Sequence, residues 1–307
     1  MVLLPLLVGQ TLRKSTLLNH ILGFKLSITS RKPQTTRHRV LGIWTENECQ
    51  IAFVDTPGMH TDQPKAMNRV MNQTAEQALS GVDAVVMLTD GKIWNELDQR
   101  VYEKVSRSGV PKYWVINKVD KLDNKNQLLP HIQNTVETHV FDEVFPVSAL
   151  KNLNLEPLLG ALRLQIPDGP FMYEEDQITD RSERFLTAEI VREQIMRQLG
   201  DEVPYETTVE IESFEHSGDR VGIHALISVE RDGQKAILVG EGGTRLKQIG
   251  IEARMRLENF LDAHVALKLW VKVRASWSND ERALQSLGLF RVRLMQKLWV
   301  IRKQRYR

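Results

Sequence analysis

Short apolar runs, each ending in a polar cluster, alternate with helical patterns over residues 1–168. Residues 3–8 run into Gly9, 50–54 into Asp55, 84–88 towards Asp90, 113–116 into Asn117, and 144–147 into Ser148. Between them, 14–22, 67–79 and 97–106 space their apolar residues as helices do. Runs this short and apolar predict strands buried on both faces. Strands alternating with helices predict a mostly parallel sheet covered on both sides. Ligands of such sheets bind beyond the carboxyl ends of the strands, where every one of these polar clusters falls.

The pattern breaks at 166–170, which holds two prolines and a glycine. A charged helical stretch follows at 180–199, then strands at 207–214 and 222–230. A glycine-rich loop at 240–243 lies between helical stretches, and a last strand covers 266–273. This half reads as α+β. The division is therefore 1–168, a linker with a first helical segment at 169–198, a second domain at 199–276, a closing segment at 277–288, and a tail at 289–307.

A chain of 307 residues with 42% hydrophobic and 26% charged residues fits two globular domains. The net charge of +2 does not announce a nucleic-acid protein, so any basic surface must be local. The single cysteine, Cys49, excludes an internal disulfide and fits a reducing cytosol. It has no metal-ligand neighbours and reads as structural. No apolar run approaches the roughly 18 residues a membrane span needs. The apolar start lacks a basic region and a cleavage site, so it reads as a first strand and not as a leader.

Four separated pieces converge on one chemistry. Asn117-Lys118-Val119-Asp120 sits at a strand end. There the Asp carboxylate can accept from guanine N1 and its exocyclic amine, and the Asn amide can reach the N7–O6 edge. Adenine would leave those partners unpaired. Ser148-Ala149, at the next strand end, can offer a backbone N–H to the guanine oxygen. In Asp55-Thr56-Pro57-Gly58 the carboxylate can hold hydrated magnesium and the Gly58 N–H can meet a γ-phosphate. The polar stretch 34–38 supplies Thr35 and Thr36, either of which could ligate magnesium as a switch, with Thr36 preferred. Each string alone also reads as an ordinary turn. Their common position at strand ends favours function.

The phosphate loop departs from its pattern. G-x-x-x-x-G-K-[ST] is expected, but Gly9-Gln10-Thr11-Leu12-Arg13-Lys14-Ser15-Thr16 is one residue short and carries Arg13 in place of the second glycine. Lys14 can still meet β/γ-phosphates, Ser15 can still bind magnesium, and a helix starting there still offers N–H groups to an anion. The shortened loop changes which backbone amides converge.

In the second half, Gly240-Glu241-Gly242-Gly243 fits the G-x-x-G loop that clamps single-stranded RNA, with Lys235, Arg245, Lys247 and Arg254 nearby. Glu241 opposes phosphate. The same string also serves as a helix-capping turn. The tail holds seven Lys/Arg and no acids, with apolar residues interleaved. It reads either as a basic amphipathic helix for RNA or an anionic membrane, or as out-of-frame or disordered sequence.

These residues together resemble the Era GTPases. The stretches 26–32 and 34–39 are similar to that family's first switch, and Asp55 to His60 and Asn117 to Asp120 to its nucleotide motifs. Stretches 178–185, 269–273 and 280–288 match its second half. The resemblance covers about residues 6–288. It implies an α/β P-loop GTPase domain, then a type II KH domain that binds the 3′ end of small-subunit ribosomal RNA during maturation of the small ribosomal subunit. It implies GTP and GDP as ligands, Mg2+ as cofactor and K+ as a further candidate. It also implies a cytoplasmic monomer, with peripheral contact at the inner membrane left open. Lys14, Thr36 and Gly58 would carry catalysis. Gly9, Arg13 to Thr16, Thr35, Thr36, Asp55 to Met59, Asn117 to Asp120, Ser148 and Ala149 would bind GTP. Ser15, Thr36 and Asp55 would hold the metal.

Met59 cannot orient an attacking water, which implies slow intrinsic hydrolysis resting on positioning. The family's loop asparagine, tied to potassium, has no counterpart here. Codons for the family's Pro-Asn-Val, read one base out of frame, yield Gln10-Thr11-Leu12, which points to a local frameshift. The altered loop leaves a second reading open, an RNA-binding assembly factor whose first domain handles nucleotide poorly.

Overall fold

The structure is a computed structural model that describes residues 2–8, 14–30, 32, 35–58, 65–90, 93–122, 124–200 and 203–289. A six-stranded sheet forms the first unit. Its strands are β1 (Val2–Val8), β2 (Val40–Glu46), β3 (Cys49–Asp55), β4 (Val85–Asp90), β5 (Lys112–Asn117) and β6 (Glu143–Pro146), in the order β2-β3-β1-β4-β5-β6. All neighbours are parallel except β2 and β3, an antiparallel hairpin turned at Asn47 with φ of 52°.

Of the predicted strands, β3, β4 and β5 are buried on both sides, and Val85, Val86, Met87 and Leu88 expose no surface, whereas β6 at the sheet edge is partly exposed. Alternate strand residues feed two cores. On one face, Val86, Leu88 and Val115 pack with Leu17 and Leu18 of α1 (Lys14–Leu22) and with Leu158 and Leu162 of α5 (Leu155–Arg163). On the other, Val85, Met87 and Val54 pack with Ala75 of α2 (Ala66–Gln77) and with Val101 and Val105 of α3 (Glu96–Ser106). Helix α4 (Leu128–Val136) completes the layer after β5. Strand β1 has β3 on one side and β4 on the other, so the chain reverses its direction of travel across the sheet there. That reversal opens the crevice in which such sheets bind ligands.

The sequence reading missed β2. Its pattern, Val40-Leu41-Gly42-Ile43-Trp44-Thr45-Glu46, is broken by a glycine and follows a polar loop. Its strand character comes from pairing with β3.

The second unit runs α6 (Glu183–Gln198), β7 (Thr207–Ser217), β8 (Arg220–Val229), α7 (Asp232–Val239), α8 (Thr244–Leu261) and β9 (His264–Val273). Its sheet has the order β7-β8-β9, with β7 antiparallel and β9 parallel to β8. Helix α6 is capped by Ser182, whose hydroxyl accepts from the Phe185 N–H, and it sends Val191 and Ile195 into the same core as Ile223, Ile227 and Leu257. Beyond β9, Trp277 and Leu284 of the segment holding α9 (Glu281–Ser286) pack on Met67 and Met71 of α2, tying the end of the chain back to the first unit. Cys49 is half-buried, and burial raises its thiol pKa, which suits a structural thiol. No helix among the described residues is long and apolar enough to cross a membrane.

Candidate functional site

Strand ends of the first sheet bring the predicted residues into two groups. The base end is built from the segments after β5 and β6. The Asn117 side chain is buried, and its Oδ1 accepts from the N–H groups of Lys118 at 2.7 Å and Ala149 at 3.0 Å. It thereby staples the two segments together. The Val119 N–H reaches the Val147 carbonyl at 3.2 Å, a second tie between them. Lys118 turns the chain with φ of 64°, a left-handed conformation that is strained for a residue with a side chain. Its ammonium pairs with Asp90 at the end of β4, 2.8 Å away. Asp120 Oδ1 accepts from the Ser148 hydroxyl at 2.6 Å, and that bond holds the carboxyl below its ordinary pKa. Asp120 is thus an ionised acceptor, aimed and half-exposed, as recognition of a base with two adjacent N–H donors requires.

The phosphate end gathers where β1, β3 and the loop before β2 meet. Lys14 opens α1; its ammonium pairs with Asp55 Oδ1 at 3.1 Å and donates to the Thr56 carbonyl. The Ser15 and Thr36 hydroxyl oxygens lie 3.2 Å apart, and each is within hydrogen-bond reach of Asp55 Oδ2, at 3.4 and 3.3 Å, so their two protons are shared among the three oxygens. Thr36, not Thr35, presents its hydroxyl here; the Thr35 carbonyl instead accepts from Arg192 of α6. Two hydroxyls and a carboxylate are oxygen donors of the kind that suit a hard cation such as magnesium, with the Lys14 ammonium holding the other carboxylate oxygen. No group of three or more His, Cys, Asp or Glu capable of holding a metal occurs among the described residues. Ser15, Thr36 and Asp55 are the oxygen donors that come together here.

Thr16 is half-buried one residue further along α1, Thr56 and Pro57 are buried, and Gly58 is partly exposed at the mouth of the site. Gly9, Arg13 and Met59 lie outside the described residues, as do the loop 9–13 and the tail from 290.

Sequence reasoning missed the contacts that join this end to the second unit. Arg37, next to Thr36, is buried. Its guanidinium donates to the carbonyls of Pro204 at 2.8 Å, Tyr205 at 2.8 Å and Thr207 at 2.7 Å. Lys65, just before α2, pairs with Glu206, and Glu206 also accepts from Gln234 of α7. Glu193 of α6 is buried and collects Lys25, Arg197 and Arg256. The only local signal was the concentration of charge in 180–199, which does not say which charges are buried.

At the far end of the second unit, Gly240, Gly242 and Gly243 have φ of 72°, 57° and 78°. At Gly240 an added Cβ would lie 2.8 Å from the Arg245 Cβ, so glycine is required by space as well as by φ. The loop joins α7 to α8 and opens beside a groove of about 400 Å3 lined by Gly243, Lys247, Ile251, Arg254, Leu267 and Leu269. Lys235, Glu241, Arg245, Lys247 and Arg254 are all exposed around it. Arg245 is partly engaged, donating to the Ile237 carbonyl at 2.7 Å.

Comparison with known proteins agrees over nearly the whole chain. Residues 10–118 match the family described as 50S ribosome-binding GTPase, and residues 202–278 match the KH domain. GTPase Era of Marinobacter nauticus is 54% identical over 276 residues, 90% of each chain. GTPase Era of Ectopseudomonas mendocina is 54% identical over 275 residues, 90% of this chain and 92% of that one. A crystal structure of Era with MgGDPNP and nucleotides 1506–1542 of 16S ribosomal RNA superposes with a TM-score of 0.91 at 36% identity, covering 94% of this chain and 98% of that one. A point variant of Aquifex aeolicus Era bound to GDP.AlF4- matches with the same TM-score and identity, covering 94% of this chain and 99% of that one. An identity of 54% over 90% of the chain, with a GTPase unit and a KH unit matched in this order, places the chain in the Era family of GTPases.

Proposed function

We propose that this chain is a GTP-dependent switch that grips the 3′ end of small-subunit ribosomal RNA while that subunit matures. One observation carries the switch. Neighbouring residues serve both units: the Thr36 hydroxyl sits with Ser15 and Asp55, and the Arg37 guanidinium is bonded to three carbonyls at the start of the second unit. A change at Thr36 is transmitted by one peptide bond to the contact between units.

In this reading Asp120 and Asn117 select guanine, Ser148 holds Asp120, and the Ala149 N–H turns from Asn117 Oδ1 to the base oxygen when the base binds. Lys14 leaves Asp55 to bind the β/γ-phosphates, and Thr16 and the Gly58 N–H border them. Ser15, Thr36 and Asp55 hold magnesium, which neutralises charge developing on the transferred phosphoryl group. The protein's part is to orient the chain of phosphates and keep Thr36 in place. Potassium is a candidate activator, to be tested by replacing it with sodium. The basic tail is proposed as an auxiliary contact for RNA or an anionic membrane face. The groove between α8 and β9 takes single-stranded RNA, with the glycine loop against the phosphates and Lys247 and Arg254 supplying charge. Support for the RNA comes from the ribosomal RNA complex of the related Era and from the matching KH unit.

The test is fluorescence anisotropy of a labelled RNA carrying the 3′-terminal small-subunit sequence, with the full chain in GDP or in a non-hydrolysable GTP analogue. Tighter binding with the analogue is expected, and Arg37→Ala should bring the two affinities together. Equal affinities for wild type in both nucleotides would contradict the switch.

A further inference from the structure

We propose that the RNA surface does not end in the groove: it continues round strand β9 onto the open face of the three-stranded sheet, where Trp270 stacks a base of the flanking single strand between Lys268 and Lys272. The proposal rests on the RNA reading above and extends it to nucleotides beyond those the glycine loop clamps.

Strand β9 is an edge of its sheet, paired only with β8. Its residues alternate between two faces. Leu267 and Leu269 line the groove beside α8. The residues between and after them, Lys268, Trp270 and Lys272, take the opposite face and are all exposed. Trp270 is 56% exposed and is the one aromatic among the large exposed hydrophobic side chains of the described residues. The feature that points to a ligand is its setting: a large flat indole in water with an exposed lysine two residues away on either side of it along the same face.

The composition of the face selects the partner. In register beside Lys268, Trp270 and Lys272 on β8 lie the half-buried His224 and Leu226 and the buried Ser228, so the face is open around Lys268 and Trp270 and closes beyond them on β8. Neither β8 nor β9 contains an acidic residue. The acids on or beside this face, Glu210, Glu215 and the exposed Glu212 at the bulge between Ile211 and Ser213, are all on β7, two strand spacings (about 10 Å) from β9. Lys268 and Lys272 form no ion pair among the described residues, so their charges are free for phosphates. The chain's own tail is excluded by sign, since residues 289–307 hold seven Lys/Arg and no acid. A polyanion with flat, unstacked bases fits both features. Aromatic side chains on a sheet face, flanked by cations, are a general solution for holding single strands. The path is short: Leu269 in the groove and Trp270 outside it are consecutive residues.

Anisotropy titrations of the full-length protein test this with three single-stranded RNA probes, one short and two extended. One is about four nucleotides long, the length a G-x-x-G groove clamps. The other two are the same probe with about four more nucleotides at one end or the other. Wild type should bind one of the extended probes more tightly. Trp270→Ala should lose about 5- to 100-fold on that extended probe and leave the short probe unchanged. Trp270→Phe should keep most of the gain. Lys268→Ala and Lys272→Ala should each flatten the log–log salt dependence for the extended probe by about 0.7. GTP hydrolysis should be the same in all of these variants. Unchanged affinity of Trp270→Ala for both extended probes overturns the extension alone. Equal losses on short and extended probes overturn it too, by making Trp270 a support of the groove. Failure of wild type to bind even the short probe overturns the RNA reading itself. A change in sedimentation of Trp270→Ala without RNA would assign the face to contact between copies.

Discussion

The two ends of the nucleotide site are built on different principles. At the base end, every polar group is positioned by a neighbour within the same unit: Asn117 by Lys118 and Ala149, Asp120 by Ser148, Lys118 by Asp90. Apart from the Ala149 N–H, which has to turn from Asn117 to the base, its geometry is ready before any base arrives. At the phosphate end, the groups meant for ligand satisfy one another. Lys14 neutralises Asp55, and the Ser15 and Thr36 hydroxyls close over the same carboxylate. What positions Thr36 comes from outside, through Arg192 on Thr35 and through Arg37 on the second unit. In the proposed switch, selectivity rests on the rigid end, and switching on the end that must be pulled apart.

The strongest way to break this contrast is Lys14→Ala. It removes the one described cation at the phosphates and strands the buried Asp55 carboxylate. GTP affinity should fall a hundredfold or more, about 3 kcal/mol, by calorimetry. Base discrimination should survive in what binding remains. Arg37→Ala comes next. It leaves three carbonyls without their donor and should lower thermal stability by about 2–3 kcal/mol while sparing GDP affinity, because GDP leans on the base end. Asp120→Ala attacks the rigid end: GTP affinity should drop about thirtyfold, roughly 2 kcal/mol, with weak ATP binding unaffected.

The smallest effect is a pH dependence at the seam between the units. His38 has its Nδ1 sealed from water, and burial lowers its pKa from 6.5 to about 4. Glu189 opposes that shift, whereas Arg181, Arg192 and Arg37 add to it; the Phe185 ring meets the imidazole edge-on at 5.1 Å. The unfolded chain takes up this proton first as pH falls. The contribution is therefore complete above 6.5 and is lost progressively towards 4, amounting to roughly 1 kcal/mol by about pH 5.5. Chemical denaturation across that range should show the slope, and His38→Gln should reduce it.

This contrast also sets what the sequence could disclose. Base-end residues lie in two short strings at strand ends, where local chemistry and the parallel-sheet pattern suffice to mark them. The fold follows the same logic: continuous apolar runs such as 85–88 could only be strands covered on both faces. Strand β2 was hidden because its partner, not its own pattern, makes it a strand. The support of the phosphate end was hidden for a deeper reason. Arg37 meets residues 167 to 170 positions away, and nothing in a basic loop says that its guanidinium is buried against backbone carbonyls. Glu193 reads as one more charge on a charged helix, yet it is buried among three cations. Long-range burial of charge is a property of two surfaces meeting, and one strand of sequence carries only half of it.

The most direct test is titration calorimetry of the folded full-length protein with GTP, GDP and ATP in magnesium and potassium. Micromolar binding of both guanine nucleotides, with ATP far weaker, is the predicted result. It would mean that the shortened loop at 9–13 still serves a site whose selectivity is fixed elsewhere. No heat with either guanine nucleotide would contradict the switch and leave an RNA-binding factor whose first domain is a scaffold.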